Sequence, residues 1–465
     1  MHKEPIQVSK EEMETQALAM DAFRTMDACP RSYHIVTYGC QMNAHDSEIL
    51  SGMLERMGME EAHDRRDADL VIFNTCCVRE NAERRALGNV IWLKQLKKEK
   101  PGLIIAVCGC MIQQPHMAER ILKQYPFIDL AFGTHNLYQL PSLLKDLLER
   151  NQRVISVSRE EDLIAEGLPV KRLNDYKAYI TIMYGCDNFC TYCIVPYVRG
   201  RERSRRMDDI LREAEALQKS GVQEIMLLGQ NVNSYGDGRD FPKLLKALDG
   251  IGIPRIRFMT SHPKDLSDEL IAVMAGGKHI CNHLHLPVQS GSNEILGAMN
   301  RGYTRERYIE RVQALRSAVP DIGITTDFII GFPGETDAQF MDSVSLVDTI
   351  GYDSAFTFIY SPRVGTAAAR MNEQVPADVS AQRIQTLIQA VERSTERVHQ
   401  SLVGHTEQVL VEGVSKRSQT MVSGKGRRNI TVTFAGDQRD IGKLIQVKIV
   451  SAAANTLRGE KETME

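Results

Sequence analysis

Three cysteines lie close together in the middle of the chain. Cys186, Cys190 and Cys193 have the spacing C-x3-C-x2-C and follow the apolar, strand-like run 179–183. A structural zinc site needs four ligands, commonly supplied as two pairs, whereas this loop offers three cysteines and no nearby histidine or fourth cysteine. Three thiolates on one loop are suited to an iron–sulfur cluster with one open iron. That iron can bind the amino and carboxylate groups of S-adenosylmethionine, whose cleavage starts radical chemistry.

Two other interpretations of this loop stay open at this point. The cysteines could be buried packing residues or form disulfides, but so tight a loop is poorly suited to pairing and leaves an odd thiol over. They could also form a zinc knuckle that lacks one ligand. We favour the iron–sulfur cluster because it explains a loop with three thiols.

A second set of cysteines follows three predicted strands nearer the N-terminus. The strands cover 34–38, 70–73 and 103–107. Cys40, Cys76 and Cys110 lie two or three residues beyond them, where loops of a parallel sheet meet at one edge, so we expect these thiols to hold a second metal centre. Cys77 and Cys108 are interpreted as packing or supporting residues. Taken singly, each cysteine of the set could be a packing residue, but the repetition at three strand ends favours a metal site.

The elements that carry these cysteines predict an α/β protein. Alternating strands and amphipathic helices are typical of parallel sheets. The predicted segments are an N-terminal extension with one helix (1–30), a parallel α/β domain (31–151), a linker (152–174), a partial (βα)6 barrel related to the TIM barrel (175–402) and a small β-barrel akin to an OB-fold (403–465). The six strands of the partial barrel are predicted at 178–183, 224–228, 256–259, 283–286, 325–330 and 355–359.

Small and amide side chains follow the strands of the partial barrel. The active face of such a barrel lies at the carboxyl ends of its strands, so these residues are candidates for binding a nucleoside-like cofactor. They are Gln230, Asn231, Ser261, Gln289, Ser290 and Asp327. Each alone could be a turn residue, but their position in one layer favours a site.

Two basic clusters are candidates for RNA contacts. The first lies just after the cysteine loop and contributes Arg199, Arg201 and Arg203. The second lies in turns of the C-terminal barrel, which carry Lys416, Arg417, Lys425, Arg427 and Arg428. Basic side chains contact phosphates in RNA complexes. Solvated surface charge is the alternative for both clusters.

Composition limits the possible compartments and partners. The 465 residues are 43% hydrophobic and 25% charged, which is typical of a folded globular protein. The N-terminal residues show no secretory pattern and no apolar run is long enough to span a bilayer, so we expect a cytoplasmic protein. Ten cysteines then indicate metal or catalytic use rather than disulfides. Because the net charge is only −3, RNA binding would depend on local basic patches.

Several motifs together resemble the radical S-adenosylmethionine methylthiotransferases, and most closely their MiaB-like, tRNA-modifying branch. The matching stretches are 38–43, 74–76, 184–193, 196–200 and 228–235. The order of domains also matches, with the C-terminal barrel corresponding to a TRAM domain. The resemblance covers almost the whole chain after residue 30.

The resemblance implies an activity and its cofactors. N6-isopentenyladenosine, 3′ of the tRNA anticodon, would become its 2-methylthio derivative. One [4Fe-4S] cluster, on Cys186, Cys190 and Cys193, would bind and cleave S-adenosylmethionine. An auxiliary cluster on the second cysteine set would carry sulfur, which a second S-adenosylmethionine molecule methylates. An electron donor such as flavodoxin or ferredoxin, and a monomeric chain, are expected.

Other functions remain as alternatives. Within the family these are the threonylcarbamoyladenosine and ribosomal-protein methylthiotransferases, against which the runs 40–43 and 230–233 argue. From a different class, the chain could be a non-catalytic iron–sulfur protein that binds RNA.

Overall fold

The structure is a computed structural model of the chain, and it describes residues 6–26, 29–77, 80–158, 163–415, 418 and 420–462. Lys416 and Arg417, two of the candidate RNA contacts, lie outside the described residues. The chain forms two compact units, each of which draws on several segments. The N-terminal unit comprises Met1–Leu173, Met183–Asp187 and Cys193–Arg205, and the C-terminal unit comprises Asn174–Ile182, Asn188–Tyr192 and Arg206–Glu465.

The elements alternate as the sequence predicts. The strands of the described chain are β1 (Ile6–Gln7), β2 (Ser32–Thr37), β3 (Glu60–Glu61), β4 (Leu70–Thr75), β5 (Ile104–Gly109), β6 (Leu130–Phe132), β7 (Val154–Ser156), β8 (Leu163–Ile164), β9 (Lys177–Thr181), β10 (Met183–Tyr184), β11 (Arg203–Ser204), β12 (Glu224–Leu228), β13 (Arg255–Phe258), β14 (His283–His285), β15 (Gly323–Ile330), β16 (Ser354–Ile359), β17 (Thr406–Val414), β18 (Met421–Lys425), β19 (Thr431–Ala435), β20 (Leu444–Ala452) and β21 (Leu457–Lys461). The helices are α1 (Lys10–Phe23), α2 (Gln41–Arg56), α3 (Glu80–Glu99), α4 (Cys110–Gln113), α5 (Pro115–Gln124), α6 (Leu140–Arg150), α7 (Val195–Val198), α8 (Met207–Lys219), α9 (Phe241–Ile251), α10 (Asp268–Gly276), α11 (Asn293–Ala298), α12 (Arg305–Ala318), α13 (Asp337–Ile350) and α14 (Ala377–Ser401).

A six-stranded parallel sheet forms the centre of the N-terminal unit. Its strand order is β3-β2-β4-β5-β6-β7. Every residue of β4 and β5 is buried, as expected for central strands covered on both faces. Alternate side chains supply two separate cores: Ile72 and Cys108 face one, and Phe73 and Val107 face the other. Cys108 is therefore a packing residue of the strand, as its sequence position indicates.

The sheet also extends beyond the boundary predicted at residue 151. Strand β7 pairs with β6 and completes the sheet, so part of the predicted linker belongs to this domain. Further along, β8 pairs in parallel with β1. A three-residue edge strand and a two-residue strand are too short to give a clear alternating pattern in the sequence.

The C-terminal unit contains the six predicted parallel strands of the partial barrel. They pair as two three-stranded sheets, with the orders β13-β12-β9 and β14-β15-β16. A parallel bridge between Ile256 and Ile280 connects the third strand to the segment just before the fourth. Helices separate these strands, so their carboxyl ends share one edge.

A closed five-stranded barrel follows α14. Its strand order is β17-β18-β19-β21-β20. Inward-facing side chains such as Val409, Val432 and Phe434 fill its core. At the closest strand approach, a Cβ on Gly424 would lie 2.0 Å from the carbonyl oxygen of Leu410, which explains the glycine. The predicted C-terminal β-barrel is confirmed. Among the described residues, no helix has the length and apolarity needed to cross a membrane.

Candidate functional site

The second cysteine set lies at one edge of the N-terminal sheet. Cys40 directly precedes α2, Cys76 directly follows β4, and Cys110 begins α4 directly after β5. Strands β2, β4 and β5 are adjacent and parallel, so their carboxyl ends carry all three cysteines at the same edge. The predicted convergence of the three loops is therefore present.

Two glycines allow these cysteine loops to pack closely. Gly39 has φ +139°, and a Cβ placed there would lie 2.8 Å from the Cβ of Cys76. Gly109 has φ +94°, and a Cβ there would lie 2.4 Å from the carbonyl oxygen of Thr75. A side chain at either glycine would be strained and would push the loops apart. Each glycine immediately precedes a cysteine of the set, so the close approach sets the positions of Cys40 and Cys110.

Buried amide side chains fasten the same loops together. Asn43 Nδ2 donates hydrogen bonds to Asn74 Oδ1 at 3.2 Å and to the Thr75 carbonyl oxygen at 3.3 Å. In return, Asn74 Nδ2 donates to the Asn43 carbonyl oxygen at 2.8 Å. Such reciprocal bonding between fully buried amides fixes both loops in one arrangement. The motif residues beside the cysteines therefore build the scaffold of the site.

Charged and polar neighbours determine the state of the Cys110 thiol. A hydrogen bond with Cys77 and the nearby Arg199 guanidinium lower the pKa of Cys110 below its ordinary value, although burial alone would raise it. The same contact with Cys110, together with burial, raises the pKa of Cys77 well above its ordinary value. Cys110 is thus favoured as the thiolate, the form that binds metal, and Cys77 as a protonated donor beside it.

Three thiols on neighbouring loops are the ligand type that iron–sulfur clusters use, because each cysteine binds a different iron. Among the described residues, no group of three His, Cys, Asp or Glu side chains is arranged to hold a single metal ion. Loops fixed by glycines and amides, with one thiol favoured as thiolate, meet the requirements of the auxiliary cluster.

The loop with C-x3-C-x2-C spacing is held at both of its ends within the N-terminal unit. Gly185 has φ +75°, and a Cβ there would lie 2.0 Å from the carbonyl oxygen of Arg201. The next residue, Cys186, donates its backbone N–H to the Gly200 carbonyl oxygen at 3.2 Å. At the other end, Ile194 follows Cys193 and packs in one buried cluster with Val198, Cys77 and Cys110. The end of this loop therefore lies against the second cysteine set.

Within the C-terminal unit, a buried arginine contacts Cys190. Arg301 Nη1 donates to Cys190 Sγ at 3.3 Å, and its Nη2 donates to the Pro287 carbonyl oxygen at 2.7 Å. Its Nε donates to the Tyr303 hydroxyl at 3.1 Å. Asn300 supports the preceding turn by donating to the carbonyl oxygens of residues 188 and 189. The guanidinium therefore places a positive charge and an N–H donor beside the Cys190 sulfur.

Buried polar atoms without protein partners lie at the carboxyl ends of the barrel strands. Among the described residues, they include Gln230 Oε1, Asn231 Oδ1, Ser261 Oγ, His262 Nε2 and Gln289 Oε1. A buried polar atom without a hydrogen bond costs about 1–3 kcal/mol, so such a group indicates a ligand that supplies the missing bonds. Four of these five residues are among the predicted cofactor contacts, and His262 is an addition.

The remaining two predicted cofactor residues lie at the same edge. Ser290 is fully buried and its Oγ accepts the backbone N–H of Ser292 at 3.2 Å. The backbone N–H of Gln289 donates to the Asp327 carbonyl oxygen at 2.9 Å, which places Asp327 beside it. Asp327 Oδ2 lies 3.6 Å from His285 Nε2. All six predicted residues therefore lie in one region, and their contact with a cofactor stays a prediction.

Backbone strain marks the same region. Thr260 has φ +68° and Gln289 has φ +74°, although neither is glycine. Positive φ is costly for a β-branched residue and persists only where the surrounding structure imposes it. Both residues lie in the loops after barrel strands, and the Thr260 carbonyl oxygen accepts the backbone N–H of Val232 at 3.1 Å. The strained turns help to orient Ser261 and Gln289.

Family models match three parts of the chain. The radical SAM superfamily matches residues 180–347, the uncharacterized protein family UPF0004 matches residues 32–133, and the TRAM domain matches residues 400–461. The first match covers the partial barrel and the C-x3-C-x2-C loop. The second covers the sheet that carries Cys40, Cys76 and Cys110, and the third covers the closed barrel.

Curated relatives are similar over nearly the whole chain. Three tRNA-2-methylthio-N(6)-dimethylallyladenosine synthases, from Alkaliphilus oremlandii, Clostridium perfringens (strain SM101) and Acetivibrio thermocellus, are 52%, 51% and 48% identical to it. The matches cover 92%, 92% and 98% of this chain and 92%, 96% and 97% of the relatives. The chain belongs to this family of synthases.

Solved structures support the fold of the radical SAM part. The radical S-adenosylmethionine methyltransferase TsrM from Kitasatospora setae, solved with tryptophan and an S-adenosylmethionine analogue, aligns with a TM-score of 0.52 and 15% identity. The alignment covers 73% of this chain and 75% of that chain. At this identity, the similarity supports the shared fold alone.

The structure corrects the expectation for the first basic cluster of this family member. Arg199 and Arg203 are only 6% exposed each. Arg199 bonds to Asp46 and Cys110, and Arg203 Nη1 donates to the Arg199 carbonyl oxygen at 3.1 Å. Arg201 differs, because its side chain is 59% exposed and pairs with Asp187 at 2.9 Å. Of the three predicted RNA contacts, Arg201 alone presents its charge to solvent.

The second basic cluster bonds to the amino ends of the partial-barrel strands. Arg428 Nη2 pairs with the buried Asp353 at 2.6 Å, and Arg427 donates to the Ile280 carbonyl oxygen. Lys425 Nζ donates to Thr431 Oγ1 at 2.9 Å. Arg255, at the amino end of β13, donates to the Lys425 carbonyl oxygen at 2.8 Å. Because the amino ends of parallel strands lie opposite the carboxyl ends, these basic residues join two domains instead of facing the cofactor edge.

Sequence reasoning missed several supporting residues. Asp46 and Arg301 lie in segments without a recognisable motif, and their roles depend on contacts with residues distant in the chain. His262 directly follows the predicted contact Ser261, but its buried Nε2 without a partner has no sequence signal. The strain at Thr260 has none either, because threonine rarely adopts a positive φ. The sequence Asn-Arg-Gly at 300–302 gives no indication that its arginine contacts Cys190.

Proposed function

We propose that this chain is a tRNA methylthiotransferase that converts N6-isopentenyladenosine, 3′ of the anticodon, into its 2-methylthio derivative. The observation that carries the proposal is that the chain is similar, over nearly its whole length, to synthases named for this nucleoside. In addition, five of the six cysteines of the two sets lie in the N-terminal unit. A reaction of this kind needs two iron–sulfur sites with different tasks.

Each cysteine set has one task in this proposal. Cys186, Cys190 and Cys193 hold a [4Fe-4S] cluster that leaves one iron for S-adenosylmethionine, and Cys40, Cys76 and Cys110 hold the auxiliary cluster. When bound, the clusters supply the electron that generates a 5′-deoxyadenosyl radical and the sulfur that is transferred. Arg301 donates a hydrogen bond to the Cys190 sulfur, and Gly39 and Gly109 keep the auxiliary thiols in register.

The cofactor contacts follow from the unpartnered atoms. S-adenosylmethionine carries amino, carboxylate, hydroxyl and adenine groups, and the atoms of Gln230, Asn231, Ser261 and Gln289 can supply complementary hydrogen bonds. These atoms are buried, which makes each of the proposed bonds stronger. Ser290 and Asp327 lie beside them and complete the proposed contacts.

The substrate explains why a radical is needed. The adenine C2–H bond is strong and unactivated, so no side-chain base at an ordinary pKa removes this hydrogen. A primary carbon radical can abstract it, provided that the base and the sulfur are held in contact distance. The adenine would reach the site unpaired, as bases in single-stranded loops usually do when proteins recognise RNA.

The same proposal names partners and surroundings. The substrate is the anticodon stem-loop of tRNA, with the TRAM domain as an RNA-binding module and Arg201 as a phosphate contact. Two molecules of S-adenosylmethionine are consumed per turnover, one for the radical and one for the methyl group. A flavodoxin or ferredoxin supplies the electron, and the chain acts as a monomer in the cytoplasm.

Nucleoside mass spectrometry tests the proposal in cells. Deleting the gene in a strain without a paralogue should remove 2-methylthio-N6-isopentenyladenosine from tRNA and leave N6-isopentenyladenosine in its place. An unchanged level of the methylthio nucleoside would refute the assignment. Loss of a methylthio derivative of threonylcarbamoyladenosine instead would favour the related branch of the family.

A second experiment separates an enzyme from an RNA-binding factor. Anaerobically reconstituted, reduced protein should convert S-adenosylmethionine into 5′-deoxyadenosine, and Cys186→Ala should abolish this conversion. A protein that only binds RNA would produce no 5′-deoxyadenosine in either form.

A further inference from the structure

A buried arginine connects the two cysteine regions of the N-terminal unit. Arg199 follows α7, six residues after Cys193, and its Nε donates to Cys110 Sγ at 3.1 Å. Its Nη2 pairs with Asp46 Oδ2 at 2.7 Å. Arg199 and Asp46 are each only 6% exposed. The guanidinium therefore lies between a carboxylate of α2 and a sulfur at the start of α4.

The geometry of the contact is fixed on both sides. A guanidinium is planar, so the bond to Asp46 determines the direction of the Nε–H bond toward Cys110. The backbone of Arg199 is also held, because its N–H donates to the Val195 carbonyl oxygen at 2.8 Å. Removing Asp46 would leave the arginine buried without a compensating charge, which is costly. Asp46 thus positions the arginine, and the arginine contacts the sulfur.

We propose that Arg199, oriented by Asp46, is a positioning residue that raises the reduction potential of the iron–sulfur centre on Cys40, Cys76 and Cys110. Hydrogen bonds to ligand sulfurs and the net charge nearby are two of the factors that set such potentials. A donor and a positive charge both stabilise the more negative, reduced form. The inference rests on the proposed function for the identity of the centre, and the Arg199 contact itself is independent of the substrate.

The effect has a use in the proposed reaction. When a carbon radical at adenine C2 takes the methylthio group, a C–S bond forms and an S–Fe bond breaks. One electron of the broken bond completes the new C–S bond, and the other remains on iron and reduces the centre by one electron. No external oxidant is required. A higher reduction potential favours this step, because the centre must accept that electron.

Potentiometric titration followed by electron paramagnetic resonance tests the inference. The parent for these measurements is full-length Cys186→Ala/Cys190→Ala/Cys193→Ala protein, so that the auxiliary signal stands alone. Arg199→Gln removes the charge and should lower the midpoint potential enough to change the reduced-to-oxidised ratio at least tenfold at a fixed potential, or about 59 mV for one electron. Asp46→Asn removes a negative charge and should shift the potential upward.

Two further variants keep the result interpretable. Arg201→Gln removes the same charge at an exposed position two residues away, where the side chain pairs with Asp187. At a fixed potential, this variant should keep the reduced-to-oxidised ratio within threefold of the parent ratio. Arg199→Lys keeps the charge and should give an intermediate shift. Iron and sulfide content is measured for each variant, so that a lost cluster is not mistaken for a shifted potential.

Defined outcomes overturn the inference. Arg199→Gln with full iron content and an unchanged midpoint would do so, as would equal shifts in Arg199→Gln and Arg201→Gln. Loss of the cluster in both Arg199 variants would assign the residue a purely structural role. Because no substrate is present, a confirmed shift would stand even if the tRNA activity were absent, and a failed shift would leave the proposed function intact.

Discussion

The two cysteine sets use the same device with different electrostatic surroundings. In each set, a buried arginine donates a hydrogen bond to one cysteine sulfur: Arg199 to Cys110 and Arg301 to Cys190. Arg199 shares its charge with the carboxylate of Asp46. The other hydrogen-bond partners of Arg301 are neutral, namely the Pro287 carbonyl oxygen and the hydroxyls of two tyrosines.

This difference indicates different tasks for the two arginines. Among the described residues, no carboxylate is hydrogen-bonded to Arg301, and its guanidinium acts on Cys190 and its surroundings, where an anionic carboxylate of S-adenosylmethionine is proposed to bind. At the auxiliary set, the Asp46 carboxylate weakens the charge but fixes the direction of one N–H bond. Arg301 therefore contributes mainly a positive charge near Cys190, whereas Arg199 contributes mainly a hydrogen bond of fixed direction to Cys110.

The largest effect is expected from replacing a cysteine that is proposed to bind a cluster. Cys190→Ala removes a proposed ligand, and the formation of 5′-deoxyadenosine should fall to background. Cys281→Ala is the matched control, because Cys281 is also buried but belongs to neither set. Liquid chromatography of the reaction mixture measures both variants. Equal losses in the two variants would show that any buried cysteine change disturbs the fold, and would remove the support for a ligand role.

Arg301→Met should give the next largest effect. It removes the donor to the Cys190 sulfur and leaves the buried Pro287 carbonyl oxygen with the longer 3.5 Å bond from the Tyr303 hydroxyl, so we expect the free energy of unfolding to fall by about 3 kcal/mol. Denaturant titration measures the change. Arg307→Met is the control, because Arg307 is 53% exposed and pairs with Glu310 on its own helix, so less than about 0.5 kcal/mol should be lost. Similar values for both variants would contradict the role given to Arg301.

Gly109→Ala tests whether the auxiliary cysteines depend on the close packing of their loops. The new Cβ would lie 2.4 Å from the Thr75 carbonyl oxygen at φ +94°. We therefore expect the free energy of unfolding to fall by about 2 kcal/mol and the iron content of the auxiliary site to decrease. Gly88→Ala is the control, since it lies in α3 with no atom near the added Cβ and should stabilise the helix by about 0.5–1 kcal/mol. Retention of full iron and stability in Gly109→Ala would show that the loops can separate without consequence.

The smallest expected effect concerns RNA. Arg201→Gln should weaken tRNA binding by less than about tenfold and reduce the slope of log affinity against log salt by about one, as for the loss of one phosphate contact. Arg428→Gln should leave that slope unchanged, because Arg428 pairs with the buried Asp353. Fluorescence anisotropy at several salt concentrations measures both slopes. A lower slope in Arg428→Gln and an unchanged slope in Arg201→Gln would indicate that the second basic cluster, and not Arg201, contacts the RNA.

The sequence was sufficient for features that repeat or are local. Three strand-to-cysteine steps predicted the edge of the N-terminal sheet, and six strand–helix steps predicted the partial barrel. Local spacing was also enough for the C-x3-C-x2-C loop. In each case the signal lies within a few residues, where strand periodicity and turn residues determine the backbone.

Direction and pairing were not accessible in this way. Lys425, Arg427 and Arg428 form a basic turn in the sequence, but the turn bonds to the amino ends of the barrel strands. Whether a basic side chain meets solvent or a buried carboxylate depends on partners more than seventy residues away. For the same reason, the burial of Arg199 beside Asp46 followed from no motif.

The most direct test of the account measures both products of one reaction. Reconstituted parent protein and Cys110→Ala are incubated anaerobically with reductant, S-adenosylmethionine and an anticodon stem-loop that carries N6-isopentenyladenosine. We expect the parent to form both 5′-deoxyadenosine and the 2-methylthio nucleoside, and Cys110→Ala to form 5′-deoxyadenosine alone. Formation of the methylthio nucleoside by Cys110→Ala at the parent rate would contradict the division of tasks between the two cysteine sets.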